Sequence, residues 1–505
     1  MKPRFLAACT ALVLVAMALS PVSAQETQDP DVRLFFEAAS QDKKIADAAL
    51  KEIGDNWKDG YATMLIEWLR FLSRGQGVSA GGAISASGQA PTSGVATERD
   101  IPTGTGPAEG RNRFQSRRDP RVQARERVVA KLEDFTGQKF GNDFAAWRAW
   151  AQSLPYDPHP QFGAFKSNFY GQIDPAFRNF FQGMAAVRLD AVDWGGVKVG
   201  GIPALDYPET VAAEQAQYLA DTDVVFGLYR NGEARAYPQR ILAWHELARD
   251  KVGGEELTLV YCTLCGTVIP YSSDISGRLV KFDTSGLLYQ SNKLLFDDVT
   301  FTLWSSLTGE PVVGRMAGSG VRLISRPVVT TTWGEWRQQH PETTVLSLDT
   351  GHERDYGEGV AYAEYFGTDD IMFGVSREDS RLKNKDEILA IRFPRRDGTG
   401  DDALAIAADF LAQNRLFQTD FNGRQLLILT SPAGANRVYA APGVTFVERV
   451  GESQVKDSEG RMWFADEDAI IPLDNPGGGL PRLAAFRAFW FGWYAQYPET
   501  QLITG

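Results

Sequence analysis

Two cysteines, Cys262 and Cys265, lie two residues apart in the stretch LTLVYCTLCGTVIPYSS, residues 257–273. A Cys-x-x-Cys pair can hold a soft or borderline ion such as Cu(I) or Zn(II) through its two thiolates. It can also cycle between a dithiol and a disulfide, or form a permanently oxidised loop. The spacing alone leaves these three chemistries open.

The residues after the pair argue against two common forms of this motif. Covalent haem attachment requires a histidine directly after the second cysteine, and Gly266 stands there. A thioredoxin-like motif requires a helix N-terminus that stabilises the thiolate. The sequence GTVIPYSS is instead strand-like and contains Pro270, so we expect a turn that leads into a strand.

Histidine is the commonest metal ligand in proteins, and His245 is the best placed of the four in this chain. The sequence RILAWHELARDKVGG predicts a short helix immediately before the cysteine strand, which brings the imidazole beside the strand's end. We therefore predict Cys262, Cys265 and His245 as ligands of copper or zinc. The alternative is a thiol enzyme, in which Cys262 is a nucleophile or redox thiol and His245 is its base.

The other histidines and a polar stretch are weaker candidates. His352 lies in a polar loop and could close a site, His340 matches an aromatic packing position, and His159 is expected to be exposed in a proline turn. Downstream of the cysteines, period-two alternation would send several polar side chains to one face. These side chains belong either to hairpin turns or to the wall of a cysteine pocket. They are Ser285, Asn292, Asp297 and Trp304.

The first residues predict an export signal. Lys2 and Arg4 precede an apolar stretch, and small residues end at Ala24, where we expect cleavage. Cys9 would be removed with the signal, which leaves only the Cys-x-x-Cys pair. No later stretch is apolar enough to cross a bilayer, so we expect a soluble periplasmic protein.

The length and the net charge of the chain limit the classes of protein to which it can belong. The formal charge of −12 becomes −14 once the signal is removed, and there is no sustained basic run. Such a chain is a poor candidate for nucleic-acid binding. About 480 mature residues suggest two to four domains, and two cysteines are too few for a disulfide scaffold.

The predicted fold class is α+β, with a helical region before a β-rich region. Residues 25–190 show apolar residues at helical spacing, interrupted at about 75–115 by a Gly/Ser/Ala/Pro-rich insertion without periodicity. Short helix pairs of this kind suggest a HEAT-like stack of hairpins. From about residue 191, strand-like runs and glycine turns dominate. Asn231-Gly232 predicts a two-residue hairpin turn.

An internal repeat divides the β-rich region into units at 191–380 and 381–505. LVYCTLCGTVIPY from Leu259 matches LILTSPAGANRVY from Leu427, and WRQQHPETTVL from Trp336 matches WYAQYPETQLI from Trp493. We expect residues 223–349 and 387–505 to adopt similar folds and to pack together. The C-terminal stretch RLAAFRAFWFGWYAQYP is predicted to be a largely buried helix.

The repeat also serves as a control on the cysteine motif. In the second unit, Thr430 matches Cys262 and Ala433 matches Cys265, while His245 matches Asp409 or Gln413. A staple needed to close this turn would be expected in both units. The joint absence therefore favours a function for the first unit's residues.

Several ordered motifs resemble the DUF3179 family of exported bacterial proteins. They are WGGVKVGGIPAL, WHELARDKVGGEELTLVYCTLCGT, FDTSGLLYQSNKLLFDDVTFTLWSSLTGEPVVG and TTWGEWRQQHPETTVL, and the resemblance covers about residues 190–505. The resemblance implies no activity, because the family is uncharacterised. Family members commonly read Cys-Pro-Leu followed by Cys or Thr, which implies that Cys262 matters more than Cys265.

Three functions stay open from the sequence. The leading one is an exported protein that binds a soft metal ion through Cys262, Cys265 and His245. The second is the thiol-dependent enzyme. The third is a scaffold whose helices and aromatic-rich units bind a periplasmic protein partner.

Overall fold

A computed structural model describes residues 29–72, 119–395, 397–398 and 400–505. The predicted export signal and the predicted insertion at about 75–115 lie outside the described residues. Within the described part, no helix is both long enough and apolar enough to cross a membrane.

Helices form the N-terminal part of the described chain, as the sequence predicts. Several begin at an aspartate whose carboxylate accepts a hydrogen bond from a main-chain N–H of the first turn, among them Asp119 and Asp143. Gly137 ends one helix at φ 73°, a conformation that favours glycine. The helices are α1 Val32–Glu37, α2 Lys43–Asp55, α3 Ala62–Phe71, α4 Pro120–Thr136, α5 Phe144–Ser153 and α6 Phe162–Tyr170.

The first β-rich part runs through seventeen strands, all within the described residues. They are β1 Met184–Ala185, β2 Val192–Trp194, β3 Leu205–Asp206, β4 Thr210–Ala212, β5 Val224–Arg230, β6 Glu233–Pro238, β7 Leu247–Val252, β8 Glu255–Cys262, β9 Thr267–Ser272, β10 Asp274–Ile275, β11 Arg278–Leu279, β12 Phe282–Tyr289, β13 Asn292–Asp297, β14 Leu303–Ser305, β15 Pro311–Gly314, β16 Val329–Thr332 and β17 Thr344–Leu346. Its helices are α7 Gln239–His245, α8 Trp333–Gln339 and α9 Ala363–Phe366.

The second β-rich part follows with shorter connections. Its strands are β18 Glu387–Pro394, β19 Asp401–Ala407, β20 Leu416–Phe421, β21 Arg424–Thr430, β22 Asn436–Ala440, β23 Phe446–Arg449, β24 Gln454–Asp457, β25 Met462–Ala465, β26 Ala469–Pro472, β27 Leu480–Leu483, β28 Phe486–Phe489 and β29 Gln501–Ile503. Its helices are α10 Ala408–Gln413 and α11 Trp490–Gln496.

These strands form several sheets rather than one. The first part contains the orders β1-β15-β14-β13-β12-β2, β16-β5-β6-β17-β4 and β3-β7-β8-β9, with a small β10-β11 ribbon. The second contains β28-β18-β19-β29 and the eight-stranded order β20-β21-β22-β27-β26-β25-β24-β23. The ends of the eight-stranded sheet, β20 and β23, contact each other, so this sheet is nearly closed into a barrel.

Two sheets share strand order and direction. In each, an antiparallel hairpin (β5-β6 or β18-β19) pairs on one side with an antiparallel strand (β16 or β28) and on the other with a parallel strand (β17 or β29). Trp336 and Trp493 lie in the helices that follow β16 and β28, and both are fully buried. Superposition of residues 223–349 on 387–505 and the HEAT-like stacking of the helices stay predictions.

Shared cores join the parts. Apolar residues of β12 and β13, such as Leu287 and Leu294, lie in one cluster with the N-terminal helices. Leu247 of β7 lies in another cluster with Ile388 of β18 and Trp493 of α11. The two β-rich parts therefore bury apolar surface against each other.

Three local predictions differ from the structure. Only the last part of the stretch RLAAFRAFWFGWYAQYP is helical, because Phe486–Phe489 instead pairs with β18. Strand β7 lies between the helix that carries His245 and the cysteine strand. His159 is buried, not exposed, because its Nε2 contacts the carbonyl of Pro30 at 2.8 Å. By contrast, the turn at Asn231-Gly232 is confirmed, with both residues at positive φ between β5 and β6.

Candidate functional site

The cysteines lie on a tight turn between two strands. Cys262 is the last residue of β8 and pairs with Thr267 of β9, and residues 263–265 form one 3-10 turn. Gly266 completes the turn at φ 62° with Phe489 at 3.0 Å from the position of a Cβ. A larger residue there would meet both a strained backbone and the ring.

The two thiols contact each other inside the protein. Their sulfurs are 2.9 Å apart, and the Cys265 sulfur lies 3.2 Å from the carbonyl oxygen of Ser291. In the doubly protonated state Cys262 donates to Cys265, and Cys265 donates to Ser291. When Cys262 ionises, the Cys265 S–H can turn to it instead. Both side chains are buried, at 2% and 0% exposure.

The pKa values of the two thiols are shifted in opposite directions. Burial raises the pKa of Cys262, but hydrogen bonds from Cys265 and from the main-chain N–H groups of Lys293, Cys265 and Leu264 outweigh it and hold the pKa below its ordinary value. Burial and the neighbouring Cys262 sulfur raise the pKa of Cys265 well above its ordinary value. Of the two thiols, Cys262 is therefore the more acidic and Cys265 the one that holds its proton more strongly.

The tip of the β12-β13 hairpin and helix α11 form one side of the site. Gln290 and Ser291 both have positive φ in the two-residue turn between the strands. The Asn292 side-chain amide donates to the carbonyl oxygens of Gln290 and Gly492 at 3.0 Å each. A Cβ on Gly492 would lie 3.2 Å from that of Cys265, so glycine lets the helix approach the turn.

Residues 362–376, which we call the covering segment, lie over the pair. Their aromatic side chains share one apolar cluster with the cysteines. The Tyr365 hydroxyl donates to the Leu264 carbonyl at 2.7 Å, and Ser376 exchanges two hydrogen bonds with the Gln290 side chain. The segment thus bonds to the turn on one side and to the hairpin tip on the other.

A buried ion pair lies beside the turn. The Lys293 ammonium contacts the Glu246 carboxylate, and both side chains are less than a tenth exposed. Glu246 also accepts hydrogen bonds from the hydroxyls of Thr263 at 3.0 Å and Tyr362 at 3.1 Å. Its backbone has φ 58°, which is uncommon for any residue except glycine.

His245 is held away from the thiols. Its Nδ1 lies 2.8 Å from the carbonyl oxygen of Pro203, and its Nε2 lies 2.6 Å from the Tyr356 hydroxyl. Burial lowers its pKa to about 4. Among the described residues, no three or more His, Cys, Asp or Glu side chains lie close enough to hold a metal ion. The structure thus brings Cys262 and Cys265 together without His245.

The other sequence candidates divide between the site and its surroundings. His352 is exposed, with its ring 5.2 Å from that of His245, on an open cavity that does not include the cysteines. His340 packs on Trp336 at 4.1 Å between ring centres. Of the four predicted wall residues, only Asn292 borders the cysteine turn.

The remaining three wall residues stabilise their own hairpins. The Ser285 hydroxyl donates to the Leu294 carbonyl at 2.6 Å. Asp297 accepts from main-chain groups of the following turn and from the Trp304 indole at 2.9 Å. These contacts satisfy their polar groups within strands β12 to β14.

Sequence reasoning missed the ion pair and the covering segment. Lys293 is a charged residue directly before the apolar run LLF of β13, and that signal could have identified it. Glu246 lies in a short connection where a charged residue is ordinary. The covering segment has little regular structure, so no periodicity indicates that it folds back over the cysteines.

Comparison with known proteins identifies a family and no activity. The family described as "Protein of unknown function (DUF3179)" matches residues 199–500. No curated protein and no solved structure matches the chain.

Proposed function

Because the chain belongs to the DUF3179 family, which is described without an activity, we propose a function from the geometry of its site: Cys262 and Cys265 form a thiol–disulfide redox pair. Cys262 is the attacking thiolate and Cys265 is the resolving thiol. The observation that carries the proposal is the contact of two buried sulfurs with opposite shifts in pKa.

The proposed reaction is exchange with a disulfide-bonded substrate. The Cys262 thiolate attacks one substrate sulfur, the substrate S–S bond breaks, and the second substrate sulfur leaves and takes a proton. Cys265 then loses its proton and attacks the Cys262 sulfur, which releases the second substrate thiol. The pair is oxidised by two electrons and one substrate disulfide is reduced to two thiols; the direction depends on the two reduction potentials.

A soft metal ion is the competing occupant, and the sulfurs alone do not choose between the two. Their 2.9 Å separation lies between the ~2.05 Å of a disulfide and the roughly 3.8 Å of two sulfurs bonded at about 2.3 Å to one tetrahedral ion. What disfavours the predicted metal site is its third ligand, because the His245 imidazole bonds to Pro203 and Tyr356 and not to an ion shared with the cysteines. Two thiols could still hold Cu(I), so metal binding stays the alternative.

The second β-rich part supports a function confined to the first. We infer that the two parts arose by duplication, since two of their sheets share strand order. Strand register matches Leu247-Val260 to Leu416-Leu429. This register places Ser431 opposite Cys262, one residue from the Thr430 that sequence alignment gives. Either residue lacks a thiol, and so does Ala433.

We also propose that the protein works after export. An oxidising compartment supplies the disulfides with which such a pair exchanges. The partner would then be a periplasmic protein or a small molecule that carries a disulfide or thiol. The covering segment must move aside for a protein partner, since both sulfurs are buried.

Redox titration tests the proposal. Reduced protein is equilibrated in glutathione buffers of graded potential, its free thiols are alkylated, and the mass of the chain is measured. The metal content of each protein is measured separately. We expect a reversible loss of two hydrogens at the pair, which both Cys262→Ser and Cys265→Ser abolish, with equal metal content in all three. One equivalent of copper or zinc that is lost in Cys262→Ser would favour the metal site and contradict the redox pair.

A further inference from the structure

The tip of the β12-β13 hairpin has a strained backbone. Its two turn residues, Gln290 and Ser291, have φ values of 50° and 59°. A two-residue turn with positive φ at both positions ordinarily contains asparagine, aspartate or glycine. Other residues keep such a conformation only where the surrounding structure fixes it, and strain of this kind is found at ligand clamps and switch regions.

Contacts on two sides fix this tip. On the side of the cysteines, the Cys265 thiol donates to the main-chain carbonyl of Ser291 at 3.2 Å. On the side of the covering segment, the Ser291 hydroxyl donates to the carbonyl of Phe373, and the Gln290 side chain exchanges two hydrogen bonds with Ser376. Ser291 is 1% exposed. One buried residue therefore connects a thiol of the pair to the covering segment.

Oxidation of the pair removes the donor on the cysteine side. In the disulfide neither sulfur carries a proton, because two electrons and two protons have passed to the substrate disulfide, which leaves as two thiols. The buried Ser291 carbonyl then lacks the hydrogen bond that it accepts from Cys265, which costs free energy. Water can replace that donor only if the tip and the covering segment separate.

The equivalent tip of the second β-rich part is exposed. Asp297 and Asp457 each accept a hydrogen bond from a tryptophan indole, and counting back six residues from each places Gly451 opposite Ser291. Gly451 is exposed, and its main-chain N–H donates to the Gln454 carbonyl of its own hairpin. The buried tip thus occurs in the part that carries the thiols.

We propose that Ser291 couples the redox state of the cysteine pair to the covering segment, which closes over the dithiol and is released when the disulfide forms. Ser291 is a positioning residue that acts through Cys265 and Phe373. Release exposes the disulfide to a dithiol partner, which returns two electrons and two protons to the pair by the reverse exchange. The inference rests on the proposed redox function, because it requires that the pair forms a disulfide.

The coupling must act in both directions. If the dithiol favours closure of the covering segment, closure favours the dithiol by the same factor. The closed segment therefore raises the reduction potential of the pair. A substitution that weakens the contact between the tip and the segment destabilises the dithiol more than the disulfide, so it lowers that potential.

The first test is amide hydrogen exchange of the full chain in its reduced and oxidised states, resolved by peptide mass analysis. We expect peptides of the covering segment to exchange about two- to tenfold faster in the oxidised chain, the effect of one lost hydrogen bond on local opening. Peptides of β18 and β19 should exchange equally in both states. The double variant Cys262→Ser/Cys265→Ser, treated with the same disulfide reagent, should show no change.

The second test measures the reduction potential of the pair in glutathione buffers. Ser291→Ala removes the hydroxyl that bonds to Phe373 and keeps the carbonyl that accepts from Cys265. We expect its equilibrium constant to shift about two- to tenfold toward the disulfide, which lowers the potential by about 9–30 mV. Gln290→Ala breaks the contacts with Ser376 and should act in the same direction.

The matched control is Ser285→Ala, which removes another buried hydroxyl of the same hairpin, one that donates to the Leu294 carbonyl. It should lower stability without a change in potential. Equal or slower exchange of the covering segment in an oxidised chain whose disulfide is confirmed would overturn the inference and leave the redox function standing. An unchanged potential in both Ser291→Ala and Gln290→Ala would do the same, whereas a wild type that forms no disulfide overturns both.

Discussion

The lowered pKa of Cys262 depends on hydrogen-bond donors that converge on its sulfur. Main-chain N–H groups come from its own turn and from the β12-β13 hairpin, and the Cys265 thiol adds a further donor. Hydrogen bonds to the charged form favour ionisation, whereas burial opposes it. The hydrogen-bond contacts of the Cys265 sulfur are with a carbonyl oxygen and with the Cys262 sulfur, and burial together with that sulfur raises the pKa of Cys265.

Removal of the Cys265 donor should make Cys262 less acidic. In Cys265→Ala the thiolate loses a charge-assisted hydrogen bond, so we expect alkylation of Cys262 at pH 7 to slow by about tenfold, or one pKa unit. Cys265→Ser keeps a donor and should stay near the wild-type rate. Equal rates in the alanine and serine variants would show that the Cys265 proton does not set the acidity of Cys262.

The sequence could predict the pair but not its surroundings. Cys262 and Cys265 were identifiable because cysteine is rare in this chain and because the repeat lacks both. The sequence predicts His245 beside them because it indicates a direct connection from helix to strand, whereas β7 intervenes. The contacts of Glu246 and Lys293 join residues far apart in sequence, which periodicity does not encode.

At the scale of elements, we expect the covering segment to limit access to the cysteines. The contacts of this segment with the cysteine turn include one hydrogen bond, from the Tyr365 hydroxyl to the Leu264 carbonyl. They also include packing of the segment's aromatic rings on the cysteines. Local opening of such a segment costs less than global unfolding, so its contacts should limit the rate at which reagents reach Cys262.

Tyr365→Phe should therefore increase access. The loss of one hydrogen bond, about 0.5–1.5 kcal/mol, should speed native-state alkylation of Cys262 about two- to tenfold with little change in thermal midpoint. Tyr207→Phe is the matched control, because its hydroxyl bonds to Glu256 outside the covering segment. An unchanged rate in Tyr365→Phe would mean that the covering segment does not control entry.

Helix α7 should make the protein sensitive to acid through His245. Its folded pKa of about 4 lies below the ~6.5 of an unfolded histidine, so only the unfolded chain takes up this proton between those values. The contribution is fully present above pH 6.5 and is lost as pH falls toward 4, by up to about 3 kcal/mol. His245→Asn should reduce this pH dependence of the unfolding midpoint; a slope equal to that of the wild type would contradict it.

At the scale of the whole molecule, one sheet in each β-rich part has the same strand order and direction, and within the described residues both cysteines lie in the first part. The Trp336 indole donates to Thr343 at 2.9 Å, and the Trp493 indole donates to Thr500 at 3.0 Å. These bonds occupy the same place relative to helices α8 and α11. Under the proposed duplication, the packing of these tryptophans is kept in both parts, whereas the thiols are kept in the first part alone.

Equivalent substitutions should therefore have equivalent costs. Thr343→Val and Thr500→Val each leave a buried indole N–H without its partner, which costs about 1–3 kcal/mol. We expect the two losses in unfolding free energy to agree within about 0.5 kcal/mol. The thiol chemistry of both variants should match that of the wild type. Clearly unequal losses, or an experimental structure in which residues 223–349 and 387–505 do not superpose, would contradict the duplication.

The most direct test of the redox account is to trap the first step of exchange. Reduced Cys265→Ser protein is mixed with a small disulfide reagent at pH 7, and the modified residue is identified by peptide mass analysis. The account predicts a mixed disulfide that accumulates on Cys262, because the resolving thiol is gone, and much slower modification of Cys265 in Cys262→Ser. Equal modification of either cysteine, or none of Cys262, would contradict the assignment of Cys262 as the attacking thiolate.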